Sequence, residues 1–374
     1  MLRKYIIPIV LWAIASMTLI VAACGDDDDA GGTATPGDGT EPAGTETQPP
    51  AQTGEGLLAT VQDRGELICG VNDAVPGFGF VESDGTNSGF DVDYCKAIAL
   101  AVLGDAEAVQ YVPLTADARL PAVQTGQVDV LIRNTTWTIS RDAATGLSFA
   151  VTTFYDGQGM MVRAADGITS LDDLASATIC TLQGTTTELN LADRLPNSEA
   201  LSFEDNDTLQ AAFIEERCDG WTSDRSQLAS RQSAYPEDAG GPDALVILDE
   251  VFSKEPLGPV TIDNDSQWYD IVNWTTIGTI LAEERGVTSE NIDDFIADPQ
   301  NPEIARLLGV AIEGGDIFDP GLGLPPDFMQ DVIRGVGNYG EIYERNITPI
   351  GLPREGTLNA LWTDGGLIYS PPWR

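Results

Sequence analysis

Histidine is absent from the 374-residue chain. With it go Ser-His-Asp and Cys-His nucleophilic sites, His-ligated metal centres, and the one side chain that ordinarily titrates near neutral pH. Catalysis would have to rest on carboxylates, lysine or tyrosine. Lysine is scarce too: Lys4, Lys96 and Lys254 are the only three among 19 basic residues. Against these stand 59 acidic residues and a formal charge of -40. Such a chain repels phosphate backbones and anionic headgroups, which excludes nucleic acid as a partner. No GxxxxGK[ST] phosphate loop is present, so any ATP hydrolysis linked to this protein takes place elsewhere.

What remains is informative. The cations are mostly arginine, the residue that grips carboxylates with two parallel hydrogen bonds. Residues 1–24 carry Arg3 and Lys4, then an apolar run, then Val-Ala-Ala-Cys, the pattern of a secretory signal ending at a lipid-modifiable Cys24. An uncleaved membrane anchor is the alternative, and both place the rest of the chain outside the cytoplasm. Residues 25–56 hold no aromatic side chain and many acids, and read as a disordered acidic tether. Cys69, Cys95, Cys180 and Cys218 follow, an even set in an exported chain. Pairs Cys69–Cys95 and Cys180–Cys218 would each close a short loop within one domain; four buried thiols are the alternative.

From Leu57 onward, short apolar stretches alternate with helical patterns. Strands are expected at 66–71, 109–114, 129–134, 158–163, 177–183, 220–224 and 245–249, with helices at 90–104 and 186–195. This alternation predicts an α/β fold with largely parallel sheets, followed by a mostly helical region from Trp268. No internal repeat is evident. Two α/β lobes define a cleft, the usual place for a small ligand.

The segments "GFDVDYCKAIA", "RLPAVQTGQVDVLIRNTTWTISRD", "LQGTTTELNLAD", "RCDGWTSDRSQL", "SKEPLGP" and "VGNYGEIYERNI" occur in order along 57–374. Together they resemble the polar amino-acid-binding proteins of bacterial ABC importers, nearest to the general L-amino-acid-binding subgroup. The resemblance implies a type II periplasmic-binding-protein fold of two α/β lobes joined by two hinge crossings, near Phe154–Gln158 and Ser253–Gly258, with a helical C-terminal extension. It implies a first lobe of 57–155 and 255–374 and a second lobe of 156–254. It also implies a monomer that needs no cofactor, captures an L-amino acid and delivers it to a membrane permease driven by a cytoplasmic ATPase.

A free amino acid presents a carboxylate and an ammonium, and burying both is costly unless each meets its partners. By the resemblance, Arg141 clamps the α-carboxylate, with Thr136 and Asn134 beside it. Thr186, read as the N-cap of a helix, and Thr185 add donors from the second lobe. Asp224 accepts the ammonium, Arg119 reaches an acidic side chain, and Phe78 lines the mouth. Bland readings compete: Arg141 and Asp224 as helix caps, Arg119 in a structural ion pair, Phe78 as core. Ala116 stands where binders of basic amino acids carry an aromatic, which argues for acidic or polar ligands. An exported dehydratase or lyase on the same fold is the rival reading; Glu188 and Glu204 are the nearby acids it could use. A receptor sensor domain would need a downstream membrane helix and signalling module.

Overall fold

A computed structural model describes residues 56–311 and 315–374. The signal sequence with Cys24, and the tether as far as Glu55, lie outside the described residues. Ten strands form two five-stranded sheets. Across the first sheet the order is Val109–Pro113, Leu67–Val71, Val130–Leu131, Val260–Ile262, Leu147–Phe149. Across the second it is Glu199–Phe203, Thr178–Leu182, Gly220–Asp224, Gln158–Arg163, Leu245–Ile247. Both obey one rule: second strand, first, third, the strand that follows a crossing between the sheets, then the fourth. This topological repeat has no counterpart in the sequence.

All seven expected strands and both expected helices are present. The expectation of largely parallel sheets needs correction. The strand that follows each crossing runs antiparallel to both of its neighbours. Each sheet is therefore half parallel and half antiparallel, because a crossing delivers the chain to the new sheet in the reverse direction. The crossings themselves, Phe154–Asp156 and Glu255–Leu257, pair as a two-stranded antiparallel ribbon.

Local chemistry sets the helix ends. Asp91 and Asp93 occupy the first turn of Phe90–Leu103, where the helix dipole favours anions. Gly104 closes it with φ 71°, its N–H bonded to Leu100 O. Phe90, Tyr94 and Ile98 are buried along one face. One core unites residues from Leu58 to Phe154 with residues from Leu257 to Trp373, so the C-terminal helices pack with the first sheet. The second lobe has its own core around Phe213, Trp221 and Leu228. The C-terminal region also braces a crossing strand: Asn359 accepts the Tyr155 N–H at 2.7 Å and donates to Tyr155 O at 3.1 Å.

The disulfides are Cys69–Cys95 and Cys180–Cys218, with Cα separations of 6.1 and 5.7 Å. The first ties the strand Leu67–Val71 to the helix packed on it, and the second ties the strand Thr178–Leu182 to the loop that leads into Gly220–Asp224. Cys180–Cys218 closes the longer loop, with a sequence separation of 38. Replacing both of its cysteines with serine is expected to cost about 4 kcal/mol through loop entropy, a fall in Tm of roughly 10 °C. A melting curve unchanged by that double replacement would contradict this role.

Candidate functional site

The stretch "RNTTWTISRD" begins at Arg133 and leaves the first sheet directly after Val130–Leu131. Asn134 adopts a left-handed φ of 25°, which asparagine tolerates better than most residues, and its N–H donates to Asp91 Oδ2 at 3.1 Å. Thr138 caps the short helix Ile139–Ala143 by accepting the Arg141 N–H at 3.3 Å. That helix turns Arg141 inward. Its Nη1 donates to Thr136 O at 3.0 Å, and its Nη2 donates to Gly184 O of the other lobe at 3.4 Å. The surface-cap reading of Arg141 therefore fails, since the side chain is buried and bridges the lobes.

From the second lobe, Gly184 follows the strand Thr178–Leu182 with φ 71°. A Cβ there would lie 2.6 Å from Asp117 Oδ1 of the first lobe, so glycine is needed for the backbones to approach. The helix Thr186–Arg194 is capped by Thr185, not by Thr186 as expected: the Thr185 hydroxyl accepts the Glu188 N–H at 3.0 Å. The shift by one residue matters, because it releases the Thr186 hydroxyl. That hydroxyl donates to Glu255 Oε2 at 2.7 Å and lies 3.3 Å from the Thr136 hydroxyl across the cleft. Glu188 is occupied structurally, accepting from the Gly184 N–H at 2.9 Å and the Ser202 hydroxyl at 2.6 Å.

Asp224 ends the strand Gly220–Asp224 and stands at the N-cap position of Arg225–Ser233, yet its side chain makes no capping bond. It faces the cleft instead, 3.4 Å from Asn134 Nδ2. Burial, reinforced by Asp156 and Glu255, pushes its carboxyl well above the usual range. Asp156 and Glu255 were not anticipated. They sit directly opposite each other on the two crossing strands, an arrangement that costs stability for like charges. Glu255 also accepts from Asn190 at 3.1 Å and from the Ser253 hydroxyl. Burial raises Asp156 to about 6. The available signal was an acid within each predicted crossing, in "FYDGQ" and "SKEPLGP".

Among the described residues four arginines are buried: Arg119, Arg133, Arg141 and Arg231. Arg231 pairs with Asp207 at 2.9 Å. The other three form no ion pair among the described residues. Arg119 opens the helix Arg119–Gln124, and its Nε has no hydrogen-bond partner. Burial, then the nearby Arg141 and Arg133, drives its pKa well below the ordinary guanidinium value. The structural ion-pair reading of Arg119 is thereby removed. Phe78 is 1% exposed and packs edge-on against Phe90 and Phe154 in the first core, so the core reading describes its surroundings. Among the described residues no cluster could hold a metal ion.

The cleft thus sets unpaired guanidiniums against a group of three carboxylates, with threonine hydroxyls between. The chain belongs to the bacterial extracellular solute-binding proteins, family 3, whose family model matches residues 67–308. It is 46% identical over 324 residues to the glutamate/glutamine/aspartate/asparagine-binding protein of Rhodobacter capsulatus, covering 85% of this chain and 93% of that one. It is likewise 46% identical to the general L-amino acid-binding periplasmic protein of Rhizobium johnstonii, covering 85% and 92%. Its fold matches a periplasmic binding protein of an ABC transporter from Brucella ovis, solved with glutathione bound. That match has a TM-score of 0.81 and 44% identity, covering 86% of this chain and all of the other.

Proposed function

We propose that this protein captures L-amino acids, acidic and polar ones foremost, outside the cytoplasm and delivers them to an ABC permease. The observation that carries the reading is the set of three buried arginines without a carboxylate partner in a chain of charge -40. A ligand bringing one carboxylate satisfies Arg141, and one bringing two also satisfies Arg119. Its ammonium suits Asp224, with Asp156 and Glu255 behind, since a cation there relieves the mutual repulsion of the acids. Thr136 and Thr185–Thr186 supply neutral hydrogen-bonding groups to complete the shell, and Asn134 orients Asp224.

Because Arg141 and Thr136 come from one lobe and Thr186 and Asp224 from the other, a bound zwitterion stabilises the closed arrangement over an open one. The lobes divide as 57–155 with 255–374, and 156–254, with movement at the crossing ribbon. A lipid on Cys24 and the acidic tether would hold the monomer near its permease while leaving it reach. The names of the relatives and their high coverage support binding over a dehydratase or lyase activity. The glutathione held by the Brucella protein widens the ligand class to peptides that keep a free amino-acid head.

A thermal-shift screen of the purified protein against the twenty amino acids tests the reading. At a hundredfold excess over Kd a ligand should add about 2.7 kcal/mol, a rise of several degrees. The expected ranking places glutamate, aspartate, glutamine and asparagine first. No shift with any amino acid, once co-purified ligand has been removed, would sink it.

A further inference from the structure

Beside the clamp, between the lobes, lies a cavity of about 240 Å³ whose lining includes Asn72, Asp73, Leu114, Arg133, Glu204 and Asn206. Its inner wall is made by Asn72, Arg133 and Asn206, which are buried. The Arg133 Nε donates to Leu114 O at 2.7 Å, while its two terminal nitrogens make no hydrogen bond or ion pair among the described residues. Burial pushes Arg133 down to about 10, which leaves it charged at neutral pH. Asp91, Asp73 and Asp224 act on it through space, but no acid pairs with it directly. Asp207 is paired with Arg231, Asp205 caps the helix Asn206–Ile214, and Asp73 and Glu204 are exposed to solvent.

A chain of side-chain amides runs from the clamp to this cavity. Asn134 Nδ2 reaches Asp224 and also donates to Gln227 Oε1 at 3.1 Å. Asn72 Nδ2 donates to Asn134 Oδ1 at 2.8 Å, and Gln227 Nε2 donates to Asn206 Oδ1 at 2.7 Å. Two of these amides come from each lobe. Amides exchange hydrogen bonds readily with a peptide group, which presents the same donor and acceptor. A short or aliphatic side chain has neither, and could not use the belt.

We propose that the cavity receives the distal carboxylate of an amino acid extended by a peptide bond, with Arg133 as its partner and the four amides flanking the peptide group. The ligand class this names is the γ-glutamyl dipeptide. The proposal rests on the amino-acid clamp described above and adds a specificity-determining residue to it.

Titration calorimetry with γ-glutamylglycine and γ-glutamylglycinamide tests it, with glutamate as the reference ligand. The wild-type protein should prefer the free acid over its amide by at least about tenfold, as charge-assisted pairing demands. In Arg133→Gln the ratio should fall to about one, in Arg133→Lys it should be intermediate, and in Arg119→Gln it should persist. Melting curves establish that each variant folds, and Arg133→Lys carries the test if Arg133→Gln does not. Glutamate binding without γ-glutamylglycine binding would overturn the subsite alone. So would a ratio that survives Arg133→Lys and Arg133→Gln but disappears in Arg119→Gln. Failure of glutamate and both dipeptides to bind would instead bring down the clamp itself.

Discussion

Arg141→Ala is expected to weaken the binding of every amino acid by about a thousandfold, since removing one member of a buried, hydrogen-bonded charge pair costs about 4 kcal/mol. The size of the effect follows from the surroundings. Arg141 is buried and donates to carbonyls on both lobes, so truncation leaves the ligand carboxylate without a cation in a water-poor site. Arg119 and Arg133 do not substitute for it, because neither is anchored at Thr136 and Gly184. Calorimetry across glutamate, glutamine and serine checks the expectation. Unchanged affinity for all three would refute the clamp.

Asp224→Asn should separate binding from stability. The ligand ammonium loses its anion, and affinity should fall about a hundredfold, corresponding to about 3 kcal/mol. The free protein should become more stable at neutral pH, because burial, Asp156 and Glu255 raise the native carboxyl well above its unfolded value, with Arg119 and Arg141 offsetting only part of that shift. The sign follows from linkage. A carboxyl raised on folding binds its proton more tightly in the native state than in the unfolded chain. Its contribution to stability is complete below the unfolded value of 3.8 and is lost as pH rises through the raised native value. The asparagine variant has no such loss. Its advantage in Tm over the wild type should therefore be small near pH ~4 and grow towards pH ~8. A Tm difference that is flat or shrinks across that range would show that folding does not raise the Asp224 carboxyl.

Much of the site was legible because binding motifs keep their order along the chain. The segments holding Arg141, Thr136, Thr186 and Asp224 could be placed without coordinates, and the structure brings those four residues to one cleft. The missing members were Asp156 and Glu255. An acid inside a short apolar strand reads locally as an edge residue, and nothing in "SKEPLGP" reveals that Glu255 meets Asp156 across an antiparallel ribbon. The cap of the helix Thr186–Arg194 was misplaced by one residue for a related reason. Three consecutive threonines are equivalent as letters, and backbone direction alone decides that Thr185 caps while Thr186 faces Glu255. Composition could say that the few cations are mostly arginine, but not that three of them are buried without an ion pair.

The sequence by itself located seven strands and two helices and favoured the pairs Cys69–Cys95 and Cys180–Cys218 over free thiols, while the family resemblance supplied the residues of the cleft. These depend on local pattern, on short loop closure and on the chemistry of individual side chains. Only the tertiary structure decided the doubled 2-1-3 strand order with its inserted antiparallel strand, the facing carboxylates of the hinge ribbon, and the choice between cap and cleft for Asp224. Those are relations between segments as far apart as Leu131 and Val260. Their energies come from burial and from charges brought together across the lobes, quantities that exist only once the chain is folded.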